Sequence, residues 1–96
     1  MAFSINFSEE KNQLLKATRG VSFHDVVLVI KNSKLLDDIN HPSHKKTHQK
    51  IYVVEIDSYA YAVPYVINKQ KNEIFLKTIY PSRVFTKKYL GKEKNE

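Results

Sequence analysis

The chain has 96 residues and carries 16 Lys and Arg against 10 Asp and Glu, a formal net charge of +6. That length suits one small domain, and 42% hydrophobic residues, with five Phe and six Tyr, argue against a disordered chain. With no cysteine, the core relies on packing alone and thiol chemistry is excluded, which fits a reducing compartment.

The opening residues Met1 to Asn6 carry no basic region followed by a long apolar run, so no signal peptide is expected. No apolar stretch approaches the roughly 20 residues that span a bilayer; the expectation is a cytoplasmic chain with no membrane partner. Phe3, Ile5 and Phe7 alternate with polar residues at the period of a half-buried strand. Asn6 or Ser8 then caps a helix, with Glu9 and Glu10 in the first turn, where the helix dipole favours negative charge. This helix runs through Lys11 to about Thr18 with Leu14 and Leu15 inward, and Arg19-Gly20 ends it in a left-handed cap. Ser22 stands three residues before Asp25, a near match to a capping box, and opens a second helix through Val26, Val27, Leu28 and Ile30. The β-branched content there would tolerate a strand, and the cap decides for helix.

Leu35 and Leu36 close this unit or begin a short strand, and the polar run Asp37 to Gln49 reads as a loop. Strands are predicted over 50–57, 59–68 and 73–80, the first two joined by a tight turn at Ser58 that lacks the favoured glycine. Pro64 is awkward in a central strand and predicts a bulge or an edge, and Pro81 stops the last strand. The sum is an α+β domain over residues 1–90. A strand and two helices lead into an antiparallel meander and a short C-terminal helix, with the helices on one face of the sheet, and residues 91–96 form a charged, frayed tail.

The last strand delivers Ser82, Arg83, Lys87, Lys88 and Tyr89 to one end of the sheet, a set suited to a phosphate-bearing partner. Arg83 is the strongest of these, because a guanidinium holds phosphate bidentately; solvated lysines near a C-terminus are common without a function. His41, His44 and His48, with Lys45 and Lys46 between them, form a basic loop that reads either as a solvated connector or as a phosphate contact and proton donor. Pro42 and the lack of cysteine argue against a metal there. His24 reads as a surface imidazole. Tyr59, Tyr61 and Tyr65 share one parity, which places them on one sheet face if Pro64 introduces no bulge. Most of the tyrosines read as core rings with rim hydroxyls, and base stacking is the rival reading.

The run Phe7-Ser8-Glu9-Glu10-Lys11-Asn12, followed by Arg19-Gly20-Val21-Ser22-Phe23, resembles the opening of the BrnT-type toxins. Ile79-Tyr80-Pro81-Ser82-Arg83 with Lys87-Lys88-Tyr89 resembles that family's strand ending in Ile-Ser-x-Arg and its basic closing helix. The resemblance spans Ile5 to Leu90. It implies a RelE-like fold and a toxin of a type II toxin–antitoxin pair that cleaves RNA without metal or other cofactor and so inhibits translation. It also implies a cognate antitoxin as partner, and operator DNA contacted only through the joint complex. Arg83 corresponds to the family's strand-end arginine. Lys50 stands where the family usually has arginine, and a lysine cannot reproduce a bidentate clamp.

In such cleavage a ribose 2′-OH attacks the adjacent phosphorus and cations neutralise the transition state. Arg83 and Lys50 would supply that charge, and His24, His41 and Tyr89 are the candidates for acid and base. Lys45, Lys46, Ser82, Lys87 and Lys88 would hold flanking phosphates. A non-catalytic nucleic-acid-binding module, or a domain that meets an acidic protein partner, are the rival readings of the same charge.

Overall fold

The computed structural model describes residues 3–46 and 48–91. Its elements in chain order are β1 (Ser4–Phe7), α1 (Glu9–Arg19), α2 (Phe23–Lys31), β2 (Asp37–Asn40), β3 (Lys50–Ile56), β4 (Tyr59–Asn68), β5 (Glu73–Leu76), β6 (Tyr80–Pro81) and α3 (Arg83–Leu90). The strands form one mixed sheet in the order β1-β5-β4-β3-β2, with β6 paired to the first half of β4. β3, β4 and β5 make the expected antiparallel meander, and β1 joins its edge in parallel with β5. Three helices on this sheet make a single α+β domain with a Cα radius of gyration of 13.3 Å. Among the described residues no helix is long and apolar enough to cross a membrane. The expected tail lies beyond Gly91, whose φ of 66° ends α3, and so outside the described residues.

Local chemistry explains the helix ends. The Ser8 hydroxyl accepts from the Lys11 N–H, and Gly20 closes α1 at φ 69°. Ser22 and Asp25 exchange both bonds of a capping box, which settles residues 23–31 as helix. Only part of the predicted inward stripe of α1 holds. Leu15 is buried, whereas Leu14 is 54% exposed, because a step of one residue turns a side chain about 100° around the helix. The inward place one turn earlier belongs to Asn12, which is fully buried. Its Oδ1 accepts the Phe23 N–H at 2.8 Å and so satisfies a first-turn donor of α2 from the neighbouring helix.

The helices do not share one face as expected. Leu15 of α1, Phe23 and Val26 of α2, and Val21 between them pack on Tyr52, Val54, Val63, Tyr65, Ile74, Leu76 and Ile79. Helix α3 covers the opposite face, where Phe85, Tyr89 and Leu90 lie on Ile51, Val53, Ala60 and Ala62. The strict alternation of β3 and β4 is what separates the two cores: both strands are buried on both faces for much of their length. Each large side chain fully buried this way contributes about 1.5–3 kcal/mol.

Three further expectations are revised. The first four residues of the predicted loop, Asp37 to Asn40, form edge strand β2, paired with β3 over Val53 to Lys50. Their polar composition hid the strand, but an edge tolerates and profits from charge. The β3–β4 turn has two central residues, Asp57 and Ser58, at φ 53° and 66°. That is the left-handed pair of a hairpin turn made without glycine. Pro64 causes no bulge in its own strand: β3 and β4 stay in register from Lys50↔Tyr65 to Ile56↔Tyr59. The partner carries the irregularity instead. Tyr65 pairs with Leu76 and Ala62 with Tyr80, so three residues, 77 to 79, oppose Val63 and Pro64. The Pro64 carbonyl accepts the Lys77 N–H at 2.8 Å, and in a strand the nitrogen of the same residue points the same way. The proline therefore directs its missing donor at a bulge, where the ladder is already broken.

Candidate nucleic-acid interface

Helix α3 is anchored through its first turn. The Ser82 N–H donates to the Ala60 carbonyl at 3.0 Å, and the Ser82 hydroxyl caps the helix by accepting from the Phe85 N–H at 3.0 Å. The Thr86 hydroxyl accepts the Ala60 N–H at 2.9 Å and donates to the Ser82 carbonyl at 2.8 Å. The hydroxyl of Ser82, expected on RNA, is thus engaged in holding the helix. This anchoring turns Phe85, Thr86, Tyr89 and Leu90 inward and leaves Arg83, Val84, Lys87 and Lys88 exposed. Arg83 and Lys87 stand one turn apart on one side, and the Lys88 Nζ lies 5.2 Å from the Tyr89 ring centroid. The Arg83 side chain makes no hydrogen bond or ion pair among the described residues. Arg83 is the first residue of α3, where the helix dipole disfavours a cation. Helix stability therefore does not account for a guanidinium at this position.

Tyr89 is held from beneath. Its hydroxyl donates to Asp37 Oδ2 at 2.5 Å, and this bond, followed by burial, raises its pKa and suits it poorly as a base. The same bond, with the Asp38 backbone N–H next in size, holds the Asp37 carboxyl below its ordinary value. A depressed carboxyl stabilises the fold above its unfolded pKa of about 3.9, and that contribution is lost as pH falls through the lower folded value. Tyr89→Phe removes the donor. Urea unfolding will therefore show a stability gap between wild type and Tyr89→Phe that is steady from neutral pH to about pH 5 and shrinks below it. A gap of constant size into strong acid would mean that the hydroxyl's contribution does not come through the ionised Asp37 carboxylate.

The neighbouring carboxylate of β2 serves the other face. Asp38 Oδ1 accepts the Tyr65 hydroxyl at 2.6 Å and lies 3.6 Å from the Lys50 Nζ. Tyr65, 1% exposed, stacks on Tyr52 with centroids 3.8 Å apart, and burial first, then the Asp38 bond, raises its pKa. As the common parity required, Tyr61 and Tyr65 both lie on the α1/α2 side.

Lys50 and Arg83 do not meet. Ser82 bonds Ala60, which pairs with Glu55, and Lys50 lies five residues further along β3, about 17 Å away, on the opposite face. His24 stands at the β1 edge, its ring 5.3 Å from that of Phe7, with β5 and β4 between it and β3. His41 Nδ1 accepts the Ser43 N–H at 3.1 Å. With His44, Lys45, Lys46 and His48 it belongs to the β2–β3 loop, which includes a short 3-10 turn over His44–Lys46. That loop leaves the sheet at the Lys50 end, as does the 69–72 turn with Lys69 and Lys71. Among the described residues no group of three or more His, Asp or Glu is placed to hold a metal ion.

The structure therefore gathers two basic areas: Arg83, Lys87 and Lys88 with Tyr89 below them, and Lys45, Lys46 and Lys50 with His41. A concavity of about 550 Å³ along α1, lined by Ser8, Glu10, Lys11, Gln13 and Leu14, touches neither. Sequence reasoning passed over Asn12, Arg19, Asp37 and Asp38 as bonding residues. The Arg19 guanidinium donates to the Ile79 carbonyl and ties the end of α1 to the bulge. The signal for Asn12 was its place three residues before Leu15 on the inward stripe. No protein-family model, curated protein or solved structure matches this chain.

Proposed function

We propose that this chain acts on RNA through the outer face of α3, as the toxin of a type II toxin–antitoxin pair in the cytoplasm. The observation that carries the contact surface is Arg83: exposed, unpaired among the described residues, and set at the helix end where its charge is unrewarded until an anion arrives. Lys87 and Lys88 extend the same surface by one turn. The net charge of +6 favours a polyanion. The toxin assignment, with its antitoxin partner, rests on the resemblance to the BrnT-type chains and on the order of strand, two helices, meander and basic closing helix.

In that role the guanidinium of Arg83 neutralises the scissile phosphate while a 2′-OH loses its proton and attacks the phosphorus; the P–O5′ bond breaks, giving a 2′,3′-cyclic phosphate and a 5′-hydroxyl that takes up a proton, and Lys87 and Lys88 hold adjoining phosphates. A second reading, RNA binding without cleavage, is favoured by one observation: the candidate acids and bases do not surround Arg83. Tyr89 donates its proton to Asp37, His41 is bound within its loop, and His24 stands at the far edge of the sheet.

Induced expression of wild type and Arg83→Ala, with growth and total RNA followed together, separates these readings. Growth arrest with cleaved RNA in the wild type, relieved by Arg83→Ala, is the expected result. Intact RNA, with salt-sensitive binding that Arg83→Ala weakens, would select the binding module. Arrest that survives Arg83→Ala would move the site elsewhere.

A further inference from the structure

Helix α3 covers only half of its side of the sheet. Ile74 and Leu76 point into the α1/α2 core, so Phe75 between them points to the α3 side, and Val66, its cross-strand partner, does the same beside Tyr65. Neither Phe75 nor Val66 belongs to either core cluster, and both are part-exposed. Asn6 lies opposite Phe75 on β1, and the Lys77 Nζ sits 5.9 Å from the Phe75 ring centroid. The open half-sheet thus presents an aromatic face bracketed by an exposed ammonium group.

Its surroundings carry the same sign. Lys71 stands exposed at the turn before β5, and Arg83 lies beyond Lys77 along β4, about 13 Å further on by the pairing of Pro64 with Lys77 and of Ala60 with Ser82. Two acids flank this strip: Glu73, whose carboxylate accepts from the Asn6 amide, and exposed Glu55, paired with Ala60 near the Arg83 end. Lys77 and Arg83 therefore lie along one edge beside α3, and Phe75 stands between Lys77 and the turn that carries Lys71. A polyanion whose charges are spaced along a flexible backbone, with flat rings between them, complements this edge.

We propose that single-stranded RNA lies along the open half-sheet beside α3, with one base stacked on Phe75 and flanking phosphates on Lys77 and Lys71. Arg83 receives the strand at the edge of the helix. This site rests on the RNA reading above and deepens it, because it separates base stacking from phosphate contact. Stacking on an aromatic face tolerates any base, and the strip offers few groups to read base edges, so little sequence preference is expected.

Binding of a labelled single-stranded oligoadenylate by the full chain, measured by fluorescence anisotropy over a salt series, tests the assignment. Phe75→Leu, which keeps an apolar side chain for folding, is expected to weaken binding roughly tenfold, and Phe75→Tyr to retain it. The abasic strand of equal length is expected to bind weakly and equally to wild type and Phe75→Leu. Lys77→Gln should lower the slope of log affinity against log salt by about 0.7, the value for one phosphate on a single strand. Lys31→Gln, on α2 across the sheet, is expected to leave binding unchanged. If wild type binds RNA but Phe75→Leu matches it, the open half-sheet is not the platform, while the α3 reading stands on its Arg83→Ala result. No RNA binding by the wild type overturns both.

Discussion

Tyr65→Ala is expected to cost about 3–5 kcal/mol of stability, the usual range for removing a buried aromatic ring. The ring is 1% exposed in the middle of the larger core and stacked 3.8 Å from Tyr52, so its loss leaves a cavity between β3, β4 and the helices. At about 4–8 °C per kcal/mol for a domain of this size, the melting temperature should fall by at least roughly 12 °C. Tyr65→Phe isolates the hydroxyl and is expected to cost only about 1 kcal/mol. Its acceptor, Asp38, has a side chain 41% exposed and keeps Lys50 nearby, so water replaces the lost donor. Calorimetry on the two variants checks the division. Equal losses in both would mean that the bond to Asp38, rather than the stack, holds this part of the core.

Asn12→Ala is expected to cost about 2–3 kcal/mol, although it removes only a small polar side chain from a short helix. The amide is fully buried, and its Oδ1 is the partner of the Phe23 N–H. Truncation leaves that donor without an acceptor and opens a void beside Phe23, itself 0% exposed and stacked on Phe7 at 4.9 Å. Asn12→Asp supplies the counter-test. It keeps the acceptor but buries a carboxyl, whose folded-state pKa is then raised by desolvation. Its stability should therefore be greatest below the unfolded carboxylate value and fall as pH rises through the raised one. Denaturant titrations at acid and neutral pH measure this. A variant equally stable at both would show that water reaches position 12.

Features governed by short-range chemistry were legible in the sequence. The Ser22–Asp25 box and the αL cap at Gly20 lie within a few residues of what they satisfy, and both appeared as expected. The β-branched and aromatic run from Ile74 likewise announced a strand, of which β5 is the first half. What stayed hidden depends on partners distant in the chain. Nothing local marks Asp37-Asp38-Ile39-Asn40 as a strand, since its stability comes from pairing with β3 and from Tyr89 and Tyr65, which lie 52 and 27 residues away. The placement of α3 opposite the other helices followed from the double burial of β3 and β4. A run such as Ile51-Tyr52-Val53-Val54 shows that both faces are covered without saying by what. For the candidate site, the closeness of Arg83, Lys87 and Lys88 was readable because a single helix carries them, whereas the inward turn of Tyr89 and the capping bond of Ser82 were not. The separation of Lys50 from Arg83 was not readable, because it depends on the face and end of the sheet to which each residue is assigned.

Pro64 and the bulge facing it have a consequence for the folding chain. Sliding β5 and β6 by one residue along β4 would bury Phe75 and Lys77 against α1 and α2 and turn Ile74, Leu76 and Ile79 outward. A slide that carries the bulge to Ala62 and Val63 would also leave the ladder's missing donor facing a regular stretch of the partner, where a carbonyl needs one. The imino acid thus works by exclusion. Its nitrogen adds no bond to the native pairing, yet it penalises that slipped one.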